Sequence, residues 1–277
     1  MSGFLDDMVE RRARRIASEY GPMSAADREK LACCARAVRD FEAALCEGDE
    51  VAIIAEVKKA SPSAGLLAPS CDAAKQALHY QRGGAAAISV LTEPEEFGGS
   101  FTDLSDVADA VDVPVLCKDF VVDPVQLFVA RGHGADAVLL MVSVLGEAIG
   151  EYVDLADTLG LAAVVEVTDL RELRTALSAQ ATVIAVNSRD LRTLEVDTDA
   201  AQEVLTEAQR FDVTLVAASG VSSRADVEAA ARAGADAVLV GEMLMRSQFP
   251  EDAVEGLTGV SRAGRSREDM DANEQPV

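Results

Sequence analysis

The chain has 277 residues and a mass of 29.1 kDa, and 49% of its residues are hydrophobic, enough for one large core. No run approaches the roughly 20 consecutive apolar residues of a membrane-spanning helix, and 48 acidic against 25 basic residues leave a net charge of −23 that excludes nucleic-acid binding through a broad basic face. Only five basic residues are lysine (Lys30, Lys58, Lys59, Lys75, Lys118) and twenty are arginine, an acidic, lysine-poor surface that fits work in concentrated salt and marks the surviving lysines as candidates for chemistry.

The first residues, Met1 to Asp7, have neither a basic stretch nor an apolar core, so no secretory signal is expected and the location expected is cytoplasmic. Phe4, Leu5, Met8 and Val9 carry helical periodicity into Arg11-Arg12. Ser24 then caps a second helical run through Leu31, Ala35, Val38, Phe41 and Leu45. The five cysteines include no Cys-x-x-Cys, and Cys33 and Cys34 are adjacent, so reduced, inert packing thiols are expected, with no disulfide and no zinc site.

From Val51 the pattern changes to eight short apolar runs separated by helical segments: 51–57, 86–91, 114–117, 137–142, 163–167, 183–186, 214–217 and 237–240. Continuous apolar runs suit strands covered on both faces, hence a parallel sheet. A spacing of about 26 residues suits a single closed (β/α)8 TIM barrel. Gly134-Ala-Asp-Ala-Val-Leu139 recurs as Gly234-Ala-Asp-Ala-Val-Leu239, with looser copies at Gly84 and Gly160, each a glycine that ends a helix and feeds a strand. The expected organisation is an N-terminal helical extension over the barrel mouth (1–50), the α/β barrel (51–258) and a disordered polar tail (259–277).

In such a barrel the C-terminal strand ends face one pocket. The first strand ends in Glu56-Val-Lys58 and the third in Lys118-Asp119, the fifth holds Glu166, and the sixth runs into Asn187-Ser188-Arg189. The seventh ends in Ser219-Gly220 and the eighth in Gly241-Glu242. Buried charges without partners cost several kcal/mol, so these groups either pair with one another, as Glu56 with Lys58 or Lys118 with Glu166, or serve chemistry. Their convergence points to acid–base chemistry. Neither His79 nor His133 sits at a strand end, which disfavours a histidine base or a serine triad. Glycines and serines after the seventh and eighth strands, with Ser61 after the first, read as a phosphate site. The residues alone thus describe a barrel enzyme that moves protons on a small phosphorylated metabolite.

The segment Ile53-Ile-Ala-Glu-Val-Lys-Lys-Ala-Ser-Pro-Ser-Ala-Gly65 resembles the indole-3-glycerol phosphate synthases of tryptophan biosynthesis. So do Ile88-Ser-Val-Leu-Thr-Glu93, Phe97-Gly-Gly-Ser100, Pro114-Val-Leu-Cys-Lys-Asp-Phe120, Val165-Glu-Val167, Asn187-Ser-Arg-Asp-Leu191 and Val240-Gly-Glu242, in that order. The resemblance implies a carboxy-lyase without metal or organic cofactor. Its substrate would be a phosphorylated aniline-sugar, carboxyphenylamino deoxyribulose phosphate, whose indole ring it closes with loss of carbon dioxide and water. Lys118 would be the general acid on the ketone, Lys58 would assist loss of water or hold the carboxylate, and Glu56 and Glu166 would be base and electrostatic partner, in an order left open. Asn187 would orient hydroxyls and Arg189 would support the cluster. Ser61, Ser219, Gly220, Gly241 and Glu242 would lie at the phosphate, with Leu91 and Phe120 against the aromatic ring. One position departs from the family's Glu-Ser-Gly: here it is Ala218-Ser219-Gly220. Two other readings stay open, a Schiff-base aldolase or isomerase with Lys118 as nucleophile, and a non-catalytic sugar-phosphate binding barrel. No membrane or nucleic-acid partner is expected, and the oligomeric state is not legible.

Overall fold

A computed structural model describes residues 3–33, 35–189 and 196–263. Eight parallel strands close into a barrel: β1 (Ala52–Val57), β2 (Ala87–Leu91), β3 (Val115–Lys118), β4 (Ala137–Met141), β5 (Ala162–Val167), β6 (Val183–Asn187), β7 (Thr214–Ala218) and β8 (Ala237–Val240). Each pairs with its sequence neighbours, and β1 closes the ring by pairing with β8, Ala55 opposite Val240. All eight lie within a residue or two of the expected runs.

Because a strand's side chains alternate, each strand builds two cores. Residues such as Ile53, Val90, Val165 and Ile184 face the surrounding helices, whereas Ile54, Leu116, Leu139, Val164, Val183, Val216 and Leu239 fill the barrel interior. The helix-to-strand turns at Gly84, Gly134, Gly160 and Gly234 have φ of +93°, +85°, +71° and +89°, a left-handed geometry that favours glycine and accounts for the repeat.

The N-terminal segment differs from expectation. Helix α1 (Phe4–Tyr20) lies over the mouth, with Leu5 and Met8 packed in the cluster that holds Phe120 and Met141. The second run is broken into α2 (Ala25–Cys33) and α3 (Phe41–Cys46). Asp136 explains the break: its carboxylate accepts the Arg39 backbone N–H at 2.7 Å and the Arg36 guanidinium at 2.5 Å, which holds the link extended until Asp40 caps α3. Helix α3 sits at the far end, where Phe41 and Leu45 share the interior cluster with Ala87, Ala137 and Ala237 at the strand starts. The helices of 1–50 therefore serve both ends of the barrel. The start of the polar tail is also ordered: Val260 is buried, and Arg262 donates its backbone N–H to Asp49 O at 2.8 Å. Residues 264–277 lie outside the described part.

Among the described cysteines only Cys117 fits a packing role fully. Cys33 and Cys46, at the last turns of short outer helices, are exposed. Burial pushes the Cys117 thiol up to about 12. Native-state alkylation near pH 8, followed by mass spectrometry, should therefore label Cys33 and Cys46 well before Cys117. Equal rates would contradict the burial of Cys117.

Candidate active site

A cavity of about 740 Å³ opens at the C-terminal end of the strands. Its lining includes all thirteen residues expected at the site: Glu56, Lys58, Ser61, Leu91, Lys118, Phe120, Glu166, Asn187, Arg189, Ser219, Gly220, Gly241 and Glu242. The strand pleat brings the charged and amide side chains of the strand ends together. Glu56 follows Ile54, Lys118 follows Leu116, Glu166 follows Val164 and Asn187 follows Ala185 at two-residue steps, so each continues an interior column past its apolar part.

Both anticipated ion pairs form, with different geometry. The Lys58 Nζ lies 2.8 Å from Glu56 Oε1, and the Ser89 hydroxyl donates to Glu56 Oε2 at 3.4 Å. Burial pushes the Glu56 carboxyl up, but attraction to Lys58 and Lys118 and the two hydrogen bonds outweigh it and hold the group below the ordinary carboxylate range. Glu56 is thus a saturated, ionised carboxylate. Glu166 is arranged otherwise: Asn187 Nδ2 donates to Oε1 at 3.1 Å, and Oε2 lies 4.0 Å from Lys118 Nζ. That buried Oε2 has no hydrogen-bond partner among the described residues. Asn187 is itself fixed, its Oδ1 accepting the Arg189 backbone N–H at 2.9 Å, so it orients Glu166.

Turns after β1, β7 and β8 form the rest of the cavity. Ser219 and Gly220 have φ of +67° and +77°, two successive left-handed residues that turn the chain sharply away from β7. The following helix (Arg224–Arg232) already has an acid at its start: Asp226 accepts from the Ser222 and Ser223 hydroxyls at 2.9 Å each. Those hydroxyls are therefore engaged within the turn. At the end of β8, a Cβ on Gly241 would stand 2.6 Å from Glu56 Oε1 and 3.1 Å from Lys58 Nζ, so glycine is what lets this strand end approach the ion pair. The Glu242 carboxylate bonds Arg246 Nε at 3.0 Å, which takes it out of competition with an anion. Ser61 lies on a small hairpin, Ala60–Ser61 against Gly65–Leu66, and its hydroxyl accepts the Ala64 N–H at 3.2 Å.

Several cavity and supporting residues carry no expected role from the sequence alone. Phe97 packs against Phe120 with ring centroids 6.1 Å apart, and Leu139, Met141 and Leu239 complete an apolar wall. Phe97 belongs to a quoted motif but lies in a loop, where no periodicity marks it. Asp119, quoted only as part of a strand end, is buried and bonded to Arg12 of α1 and to Thr92. Ala218 is buried in the wall between Asn187 and Leu239, its register partners.

A family model described as indole-3-glycerol phosphate synthase matches residues 5–257. Indole-3-glycerol phosphate synthase 1 of Streptomyces coelicolor is 44% identical over 268 residues, covering 95% of this chain and 99% of its own. The indole-3-glycerol phosphate synthase of Mycobacterium leprae (strain Br4923) is 46% identical over 254 residues, covering 91% of this chain and 93% of its own. A solved structure of tryptophan synthase from M. tuberculosis superposes with a TM-score of 0.60 at 13% identity, covering 80% of this chain and 97% of that one, a likeness of fold alone.

The lowered Glu56 value makes a pH prediction. In the unfolded chain the carboxyl returns to its ordinary 4.5, so the unfolded state takes up the proton first as pH falls. The stability that Glu56 contributes is then complete above that value and is lost as pH falls through the lower folded one. Denaturant unfolding of wild type and Glu56→Gln from neutral to acid pH should show their difference shrinking below the ordinary carboxylate value. A difference that stays constant would mean that Glu56 is not held ionised.

Proposed function

The chain belongs to the indole-3-glycerol phosphate synthase family, lyases of tryptophan biosynthesis, and we propose that the strand-end cluster closes the indole ring of carboxyphenylamino deoxyribulose phosphate. The observation that carries the division of labour is the contrast between the two carboxylates. Glu56 has both oxygens engaged and its charge fixed by Lys58, whereas Glu166 keeps a buried oxygen free, 4.0 Å from the Lys118 ammonium. Lys118 is the acid, Glu166 the base, and Glu56 the counter-charge that keeps Lys58 in place.

The steps follow from these positions. As the carboxylate-bearing ring carbon bonds to the ketone carbon, Lys118 gives a proton to the ketone oxygen. Carbon dioxide then leaves, and its bonding pair restores the aromatic ring. Lys58 protonates the new hydroxyl, which departs as water, and Glu166 takes a proton from the neighbouring methylene carbon to complete the indole. Two protons are given and one is taken. Glu166 then gives up its proton, and Lys118 and Lys58 are recharged, by exchange with solvent. The aromatic ring lies in the wall of Leu91, Phe97 and Phe120, with Arg189 on the carboxylate side. The phosphate sits among Ser61, Ser219, Gly220 and Gly241, with Arg246 neutralising Glu242 beside it. The proposed location is the cytoplasm.

The test uses the absence of tryptophan from the chain, which leaves indole fluorescence as a direct signal of product. Lys118→Met is expected to lower kcat by about 10²–10⁴-fold and Glu166→Gln by about 10²-fold or more, as loss of general acid or base catalysis does. Inorganic phosphate should still bind both. More than about a tenth of the wild-type kcat in Lys118→Met would remove Lys118 from the chemistry. Ala218→Glu should change kcat/KM by less than about tenfold, because the proton inventory is complete without a third acid. Rescue of an inert wild type by that substitution would make the chain a binding barrel.

We propose also that the acidic surface is an adaptation to salt. Screening weakens repulsion within a net charge of −23, so the melting temperature should rise from low to molar potassium chloride. A flat or falling midpoint would oppose this reading.

A further inference from the structure

Two consecutive arginines of α1 reach over the mouth to the loops after β2 and β3. Arg12, 3% exposed, donates from Nε and Nη2 to the two oxygens of Asp119 at 2.8 and 2.5 Å. Asp119 also accepts from the Thr92 hydroxyl at 2.6 Å and from the Phe120 backbone N–H at 2.8 Å, and the Thr92 N–H donates to Lys118 O at 3.1 Å. Burial works against the Arg12 charge, but Asp119 outweighs it and leaves the guanidinium more firmly protonated than usual. Arg11 pairs with Glu95 at 3.5 Å and Glu96 at 2.9 Å. That turn is organised by the buried Glu93 carboxylate, which accepts the N–H groups of Glu95, Glu96 and Phe97 at 2.8, 2.8 and 3.1 Å.

A buried ion pair returns little net stability, because desolvation offsets its attraction, so fixing the fold is a weak account of Arg12–Asp119. Its placement suggests another. Asp119 stands between Lys118 and Phe120, and the Lys118 ammonium, 4.0 Å from Glu166, is beyond hydrogen-bond reach of it. The lysine's place is therefore set by the backbone that carries it, and that backbone is fixed on both sides by the Asp119 cluster. We propose that Arg12 is a positioning residue of the active site. By clamping Asp119 it sets the strand end that presents Lys118 and Phe120, and α1 is thereby a working part of the catalytic apparatus. The inference rests on the reading of Lys118 as general acid.

The test compares wild type, Arg12→Met, Arg12→Lys and Thr92→Val by indole fluorescence, with inorganic phosphate as the binding probe and circular dichroism to measure the folded fraction. Arg12→Met should lower kcat per folded molecule by about ten- to a hundredfold, the range for a misplaced catalytic group, with phosphate affinity changed less than about threefold. Arg12→Lys should recover part of the loss, and Thr92→Val should lower kcat by a smaller factor. A merely structural role would move the melting temperature and leave kcat per folded molecule alone. Folded Arg12→Met with wild-type kcat overturns the proposal. If that variant does not fold, wild-type kcat in both Arg12→Lys and Thr92→Val overturns it. A wild type that forms no indole fails the synthase reading and this inference together, whereas active wild type with unimpaired variants fails this inference alone.

Discussion

Ionised groups at the end of a closed barrel must neutralise one another, because the apolar column beneath them offers neither water nor a partner. Lys58 and Glu56 satisfy this directly at 2.8 Å. Lys118 and Glu166 satisfy it loosely, at 4.0 Å, which leaves the second pair electrostatically balanced and chemically unspent. The difference arises from neighbours. Ser89 and Lys58 fill the valences of Glu56, whereas Asn187 takes one oxygen of Glu166 and leaves the other. A glycine at 241 is part of the same balance, since any side chain there would press on the closed pair.

The barrel was legible because its eight apolar runs are short and regularly spaced, and because four of them follow glycines whose geometry other residues adopt at a cost. The charged residues were legible for a related reason: a charge inside an apolar run stands out. The sequence pattern does not show which partner each charge takes. Nothing in the chain distinguishes a saturated Glu56 from an open Glu166, because Ser89 and Asn187 come from other strands and meet them only after closure. The break between α2 and α3 was hidden similarly, since its cause is Asp136, some hundred residues downstream. Phe97 was hidden by lying in a turn held by a carboxylate rather than by a periodic element.

The two ends of the barrel have separate attachments to the N-terminal segment. At the mouth, α1 contributes apolar side chains to the interior cluster and two arginines to the loops, so the residues nearest the chemistry are enclosed by an element outside the eightfold repeat. At the other end, α3 fills the space beneath the interior column, and Arg36 and Arg39 attach the connecting segment to the strand starts. The mouth and the far end of the core are thus covered by different helices.

The carboxylates of the repeated Gly-Ala-Asp turn act alike on two opposite sides of the barrel. Asp136 accepts the backbone N–H of Val115 at 2.8 Å, and Asp236 accepts that of Leu215 at 2.8 Å, with the reverse bonds from each aspartate N–H to the same residue's carbonyl also at 2.8 Å. Donor and acceptor positions both recur at an offset of one hundred residues, and the strands they begin, β4 and β8, stand half a turn apart around the ring. Each aspartate ties the start of its own strand to that of the preceding one, β3 to β4 and β7 to β8, so the floor of the barrel is braced at two opposite points by the same pair of hydrogen bonds.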